Sequence, residues 1–219
     1  MTEQSRMREE ITRFAKSIYD RGLTSGSTGN ISARLSDGTI LMTPTGSSMG
    51  FLDPTQISHL SEELRLLSGD APTKEIRLHT AFYETRVTTG AVVHLHSTHS
   101  VALSMLPDTD PDNVLPPLTP YAVMKLGKVQ LLPFFMPGDA AMGEAVRGLA
   151  GKRSAVLLAN HGPVVAGKDL AAAVYAMEEL EETAKLALIT RGMGAIGLDE
   201  NQVNQVIDRV NATGLTWLG

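Results

Sequence analysis

The chain has no cysteine among its 219 residues. Disulfides, thiolate metal sites and cysteine nucleophiles are thereby excluded, and histidine and carboxylates remain as the side chains able to ligate a metal tightly. Nor does it contain a run of roughly 18 apolar residues, the length a membrane helix needs. Its opening stretch, MTEQSRMREE, is polar and charged where a secretory leader would be apolar, so a cytoplasmic protein is expected. Lysine and arginine are nowhere clustered and the net charge is −5, which argues against nucleic acid or an anionic membrane as the main partner. Any anionic ligand must therefore be held by a local site. Internal repeats, low-complexity segments and linkers are missing too. With 42% hydrophobic and 20% charged residues, the composition is that of one soluble globular domain over residues 1–219.

What is present reads as alternating helices and strands. REEITRFAKSIYDRGL places Ile11, Phe14, Ala15 and Ile18 at helical spacing, with Gly22 as a stop. NISARL and TILMT alternate in hydrophobicity and meet at Asp37-Gly38, a hairpin signal. DPTQISHL predicts a short capped turn or helix. APTKEIRLHTAFYETR predicts a helix starting near Thr73 or Lys74, with Ile76, Leu78 and Phe82 turned inward, and GAVVHLHS predicts a strand. After a proline-rich loop, PDTDPDNVLPPLTPY, the pattern gives a strand (VQLLPFF), a helix (GDAAMGEAVRGL) and a buried strand (SAVLLAN). A turn at His161-Gly162-Pro163 and a long helix from Asp169 to about Arg191 follow, and the last twenty residues read as a detachable terminal helix. This alternation predicts an α/β fold.

Three of the six histidines fall within AVVHLHSTHS. His94 and His96 are two apart on a predicted strand, so both rings leave the same face and can share one ion. An isolated His-x-His is more often a pair of solvated side chains. Here, however, Val92, Val93 and Leu95 make the strand too apolar for an exposed edge, and His161 ends a second apolar segment, AVLLANHG, that can converge on the same cleft. Three neutral imidazoles and an open position describe a catalytic metal site. Glu75, in the first turn of a predicted helix, is either a helix-end charge favoured by the dipole or a core-edge carboxylate that ligates metal or serves as a base with a raised pKa. The Gly/Ser/Thr loops GSTGN and TPTG are either plain turns or cradles whose backbone N–H groups and hydroxyls surround an anion.

GSTGNIS, TPTG, KEIRLH, AVVHLHS and LLANHG, in this order, resemble the class II aldolase/adducin family, which includes L-fuculose-phosphate aldolase, over roughly residues 8–190. The resemblance implies a three-layer α/β/α fold with a central mixed, largely antiparallel sheet, and a homotetramer. It implies Zn2+ (with Mn2+ or Co2+ as alternatives) held by His94, His96 and His161, with Glu75 as the acid/base that also approaches the metal. Ser27, Gly29, Asn30, Thr45, Gly46, Thr73 and Lys74 are carried over to a phosphate pocket, and Tyr121, in LTPYAVM, to a further acid reaching in from an adjacent subunit. His79 and His99 have no ligand role in that pattern and are expected to pack or to support. His59 is read as surface, and Glu178, Glu179, Glu181 and Glu182 as a solvated helix face or a contact with a neighbouring subunit.

Two departures bear on the reaction. Thr73-Lys74-Glu75 stands where the family's sugar-phosphate aldolases resemble one another in Ser-Ser-Glu, adding a cation, and Glu75 stands where its pentulose-phosphate 4-epimerases carry Asp. The branch that APTKE, LTPYAVMKLGKVQLLPFFMPGD and MEELEETAKL most resemble acts on 3-oxo-tetronate 4-phosphates. The implied activity is zinc-dependent decarboxylation to dihydroxyacetone phosphate and carbon dioxide through an enediolate on the metal. A sugar-phosphate aldolase passing through the same enediolate is the alternative. A non-catalytic adducin-like interaction module is a third reading, against which the complete set of three histidines and Glu75 speaks.

Overall fold

The structure is a computed structural model and describes residues 1–213. Its strands are β1 (Asn30–Arg34), β2 (Ile40–Met42), β3 (Ser58–Leu60), β4 (Leu66–Ser68), β5 (Ala91–His94), β6 (Gln130–Leu132), β7 (Ala155–Leu158) and β8 (Gly162–Gly167). The helices are α1 (Glu3–Asp20), α2 (Ile76–Thr85), α3 (Thr98–Ser104), α4 (Pro120–Leu126), α5 (Ala141–Gly148), α6 (Leu170–Thr190) and α7 (Glu200–Ala212). All eight strands form one sheet in the order β4-β3-β2-β1-β5-β8-β7-β6. Only β6 and β7 pair in parallel, so the sheet is mixed and largely antiparallel.

Side-chain alternation sorts this sheet into two faces. Ile31, Ala33, Leu41, Val93, Leu157 and Val165 pack in one buried cluster with α1, α3, α4 and α6. Ile40, Met42, Val92, Val156, Leu158 and Val164 pack in another with α2 and α5. The result is a three-layer α/β/α sandwich. Parity places His94, one residue after Val93, on the α2 side.

The predicted hairpin is β1–β2. Asp37 Oδ1 accepts from the Thr39 N–H at 3.0 Å and its hydroxyl at 2.6 Å, while Gly38 takes φ +84°, closing the turn locally. Elsewhere the structure adds elements. Residues 58–60 are strand rather than helix, 66–68 form an edge strand, and the turn, which covers 159–161, opens directly into β8. α3 arises just past the histidine strand, and α4 lies at the end of the proline-rich segment, with Thr119 capping the Ala122 N–H at 3.1 Å and Pro120 opening the helix. α2 begins at Ile76 with Glu75 as its N-cap, two to three residues later than predicted.

The terminal helix is α7. Asp199 and Gln202 form a capping box at its start, and it is docked by the Leu198 N–H donating to Pro117 O at 2.7 Å and by the buried Val210. Residues 214–219 of that predicted terminal segment lie outside the described residues.

Candidate active site

β5 delivers His94 at its end, and the chain then carries Leu95 into the first core and returns His96 to the face of His94. His161 reaches the same place from the β7–β8 connection. There Asn160 adopts φ +57°, its N–H held by Ser104 Oγ at 3.0 Å. A Cβ on Gly162 would collide with the Leu95 carbonyl, so only glycine lets this connection lie against the histidine strand.

The three rings stand with centroids 5.0 Å (His94–His96), 4.8 Å (His94–His161) and 4.6 Å (His96–His161) apart. One ligand nitrogen from each lies within 4.8 Å of the others. His94 Nδ1–H donates to Pro163 O at 2.9 Å, which turns the Nε2 lone pair inward, 3.4 Å from His161 Nε2. Glu75 closes the group, with Oε2 3.5 Å from His94 Nε2 and Oε1 3.4 Å from His161 Nε2. His94 is 0% exposed and His161 and Glu75 7% each, so the site opens on the His96 side.

Burial pushes the His94 imidazolium down to about 4, with Glu75 opposing and His161 and His96 adding to the fall. Burial likewise lowers His96 and His161. All three rings are therefore neutral at neutral pH and offer lone pairs. Glu75 differs from the expectation of a raised pKa. Burial does push its carboxyl up, but His94, the Asn30 hydrogen bond, His161 and His79 together hold it below the ordinary carboxylate value. Two buried polar atoms of the site, Glu75 Oε1 and His161 Nδ1, have no hydrogen-bond partner among the described residues. Nitrogens about 2.0–2.1 Å from one tetrahedral zinc stand about 3.4 Å apart, the separation His94 and His161 already have. Neutral imidazoles, an anionic oxygen without a partner and this spacing fit a divalent cation.

The loops whose residues the family resemblance carries to a phosphate pocket adjoin this cluster. A Cβ on Gly29 would lie 2.9 Å from His94 O, so the loop carrying Ser27 and Gly29 lies against the histidine strand. The Thr45 N–H donates to Ala71 O at 2.9 Å and the Thr73 N–H to Thr43 O at 3.2 Å, binding the TPTG loop to the residues that lead into Glu75. Thr45 and Gly46 line a cavity of about 360 Å³ together with Asp70 and Gln56. Ser27, Thr45, Gly46 and Lys74 are exposed, and among the described residues Lys74 Nζ has no ion pair. Asn30 is buried, and both ends of its amide are engaged inside the protein: Nδ2 donates to Glu75 Oε2 at 2.7 Å and Oδ1 accepts from His79 Nε2 at 2.5 Å. Tyr121 is not brought to the histidines within this chain. It is 60% exposed on α4, in the layer across the sheet from α2, with Lys125 Nζ 5.9 Å from its ring centroid.

The structure extends the sequence reading at His79, expected to pack or to support, and corrects it at His59 and Glu181. His79 is a fully buried member of a hydrogen-bonded line with Asn30, Ser32 and Tyr83, and the signal was available in the i, i+4, i+8 spacing of Glu75, His79 and Tyr83. His59 is half-buried rather than surface, held by Gln4 Nε2 at 3.1 Å and Thr39 Oγ1 at 2.9 Å. Glu181 is 6% exposed and caps α3, so it does not belong to a solvated face. Its neighbour Glu178 pairs with Arg21 and Glu179 with Lys125, while Glu182 is exposed.

Residues 9–188 match the family described as Class II Aldolase and Adducin N-terminal domain. The chain belongs to the class II aldolase and adducin family. Within it, the chain is 51% identical over 187 residues to the 3-oxo-tetronate 4-phosphate decarboxylase of Escherichia coli (strain K12), covering 85% of this chain and 88% of that one. It is 35% identical over 177 residues to an L-fuculose phosphate aldolase of Methanococcus maripaludis, covering 81% and 93%. The crystal structure of YgbL from Escherichia coli superposes with a TM-score of 0.91 at 45% identity, covering 94% of this chain and 99% of that one. This class II aldolase family member is an enzyme of the lyase class. Among the described residues no helix is long and apolar enough to cross a membrane.

Proposed function

We propose that the chain decarboxylates a 3-oxo-tetronate 4-phosphate to dihydroxyacetone phosphate and carbon dioxide. The observation that carries this reading is the 51% identity, over most of both chains, to a relative of that name, against 35% to a fuculose phosphate aldolase. His94, His96 and His161, with Glu75 beside them, would hold a divalent ion. Zinc suits this imidazole-rich donor set best, with manganese and cobalt as alternatives. What such an ion supplies when bound is Lewis-acid polarisation of a substrate oxygen.

The remaining work falls to the chain's own groups. Glu75, held ionised, is poised to take the proton of the C2 hydroxyl. The C1–C2 bond then breaks with its electron pair left on C2, carbon dioxide departs, and the same carboxyl returns a proton to C2. Solvent supplies the one proton that the overall reaction consumes. Ser27, Gly29, Thr45, Gly46 and Thr73 surround the phosphate. Asn30, assigned to the phosphate pocket by resemblance, acts from its buried position on Glu75 instead. Lys74, exposed beside Glu75, pairs with an anionic end of a substrate that carries both phosphate and carboxylate. A single domain over residues 1–219, assembled in the cytoplasm as a homotetramer in which a neighbouring Tyr121 completes the site, belongs to the same reading.

Incubating the zinc-loaded protein with a 3-oxo-tetronate 4-phosphate and assaying both products tests it. Release of carbon dioxide with equimolar dihydroxyacetone phosphate is expected. Turnover of L-fuculose 1-phosphate to dihydroxyacetone phosphate and an aldehyde, with no carbon dioxide from the tetronate, would instead assign the aldolase reaction.

A further inference from the structure

Glu75, His79 and Tyr83 follow one another at four-residue spacing along one face of α2, and Asn30 and Ser32 share the facing side of β1. Between helix and strand they form one unbroken line. Asn30 Nδ2 lies 2.7 Å from Glu75 Oε2, His79 Nε2 lies 2.5 Å from Asn30 Oδ1, Ser32 Oγ lies 2.7 Å from His79 Nδ1, and Tyr83 Oη lies 2.8 Å from Ser32 Oγ. Ser32 and His79 are 0% exposed. Their neighbours on this face, Leu78, Ala81, Phe82 and Val92, are apolar, so a line of polar groups here must satisfy itself internally.

Its direction follows from what each atom can do. A carboxylate only accepts, so Asn30 faces Glu75 with its amide nitrogen and turns its oxygen to His79. An amide oxygen only accepts, so His79 Nε2 carries the hydrogen. In this enclosed place the ring stays neutral and Nδ1 accepts, so the Ser32 hydroxyl donates to it and the Tyr83 hydroxyl donates to Ser32. Every bond donates toward Glu75, and aligned hydrogen bonds polarise and strengthen one another.

Glu75 needs such support. Among the described residues Oε2 has the Asn30 hydrogen bond alone and Oε1 has none. Left to itself, the Asn30 amide could turn and present its oxygen to the carboxylate. A bond from an imidazole fixed at both ring nitrogens removes that freedom. The geometry points to His79 as a positioning residue: acting through Asn30, it fixes the Glu75 carboxylate in the orientation from which it exchanges protons with substrate. This rests on the acid/base reading of Glu75.

The test compares zinc-loaded full chains carrying His79→Leu, His79→Gln and Glu75→Gln, and the His79→Leu/Glu75→Gln double substitution, each measured for kcat, KM and zinc content. His79→Leu should lower kcat by about 10- to 100-fold, the usual loss when an outer hydrogen-bond partner is removed, with KM and zinc content unchanged. His79→Gln, whose amide nitrogen can replace Nε2 as donor, should recover most of the loss. In the Glu75→Gln background His79→Leu should add nothing, because the group it acts through has gone. A kcat within about twofold of the parent, no recovery with glutamine, or the same loss in the Glu75→Gln background overturns the proposal. If Glu75→Gln turns over normally, the acid/base reading falls and the positioning role falls with it. If Glu75→Gln is inactive and His79→Leu is not impaired, the positioning role falls alone. Where His79→Leu does not accumulate folded, Ser32→Ala takes its place: a severalfold fall in kcat at constant KM supports the proposal, and an unchanged kcat overturns it.

Discussion

Glu181, on α6, holds the first turn of α3 through both carboxylate oxygens, with Oε1 accepting from the His99 N–H at 2.9 Å and Oε2 from the Ser100 N–H at 2.9 Å. The His99 ring at 2.8 Å and the Ser100 hydroxyl at 2.5 Å complete the set. α3 starts two residues after His96, so this clamp fixes the strand exit that aims the ring. Glu181→Ala leaves two helix-end donors without partners, one buried and one half-buried, and should destabilise the metal-free protein by about 1–3 kcal/mol. Urea denaturation measures the loss, and a weaker zinc affinity in equilibrium dialysis should accompany it.

His94→Ala, His96→Ala and His161→Ala should each lower zinc content and turnover together, because each removes one of three converging imidazoles. Metal analysis of the purified variants beside a rate assay decides this. Full zinc at full rate in any one of them would place the ion elsewhere. His99→Ala, which leaves the cluster intact, should be mild.

Glu75→Gln preserves shape while removing the proton-transfer group, and should cost about 10²- to 10⁴-fold in kcat. Circular dichroism and denaturation should match the parent. Normal turnover would reduce Glu75 to a helix cap.

Lys74→Ser should raise KM for the tetronate phosphate by about tenfold or more, the cost of one charge-assisted hydrogen bond, with fold and zinc content unchanged. The side chain is exposed and, among the described residues, makes no ion pair that the substitution would break. An unaltered kcat/KM would return Lys74 to solvent and remove the residue-level preference for a doubly anionic substrate.

The pH dependence of stability has a definite sign. Burial, the larger cause in each case, depresses His79 to about 3 and His94 to about 4 from an ordinary value of 6.5. The unfolded chain therefore takes up protons first as pH falls. Stability is fully present above about pH 6.5 and is lost progressively toward pH 4 and below. Chelator-treated protein should show a urea midpoint that declines across this range, and His79→Gln should flatten the decline. A midpoint independent of pH between 7 and 4 would contradict the burial of both rings in neutral form.

What the sequence made legible was whatever repeats with a fixed period. The two-residue alternation of Val93, His94, Leu95 and His96 was enough to put both histidines on one face, and the four-residue steps of α6 were enough to mark a long helix. Helical steps of four and three residues, applied to Glu181, would have placed it with Met177 and Ala184 on the buried side; the run of neighbouring acids concealed this. Several elements too short to show a period escaped. α3 and α4 have seven residues each, and β4 only three, so their existence depends on contacts made across the chain. Convergence of His161 on His94 was anticipated, but its cause, a glycine with no room for a Cβ against Leu95, is a tertiary fact. The reading of Glu75 as a core-edge base expected a raised carboxyl because it weighed burial, and not the neighbouring imidazoles or the Asn30 amide, which outweigh it.

Gly29 takes φ +80°, and a Cβ there would lie 2.9 Å from the His94 carbonyl and 3.1 Å from both Leu95 Cδ2 and Met49 Cε. The loop carrying Ser27 and Gly29 and the histidine strand are thus one mechanical part. A directed-evolution library that diversifies residues 24–29 to accept a different acid will also move the backbone that carries His94. Its survivors should be those that leave position 29 alone and vary Ser25 and Ser27, whose side chains face outward. On the proposed reading, substrate scope and metal grip are therefore tied together in this protein, and a search for new specificity would do better to start from the Lys74 side of the cleft.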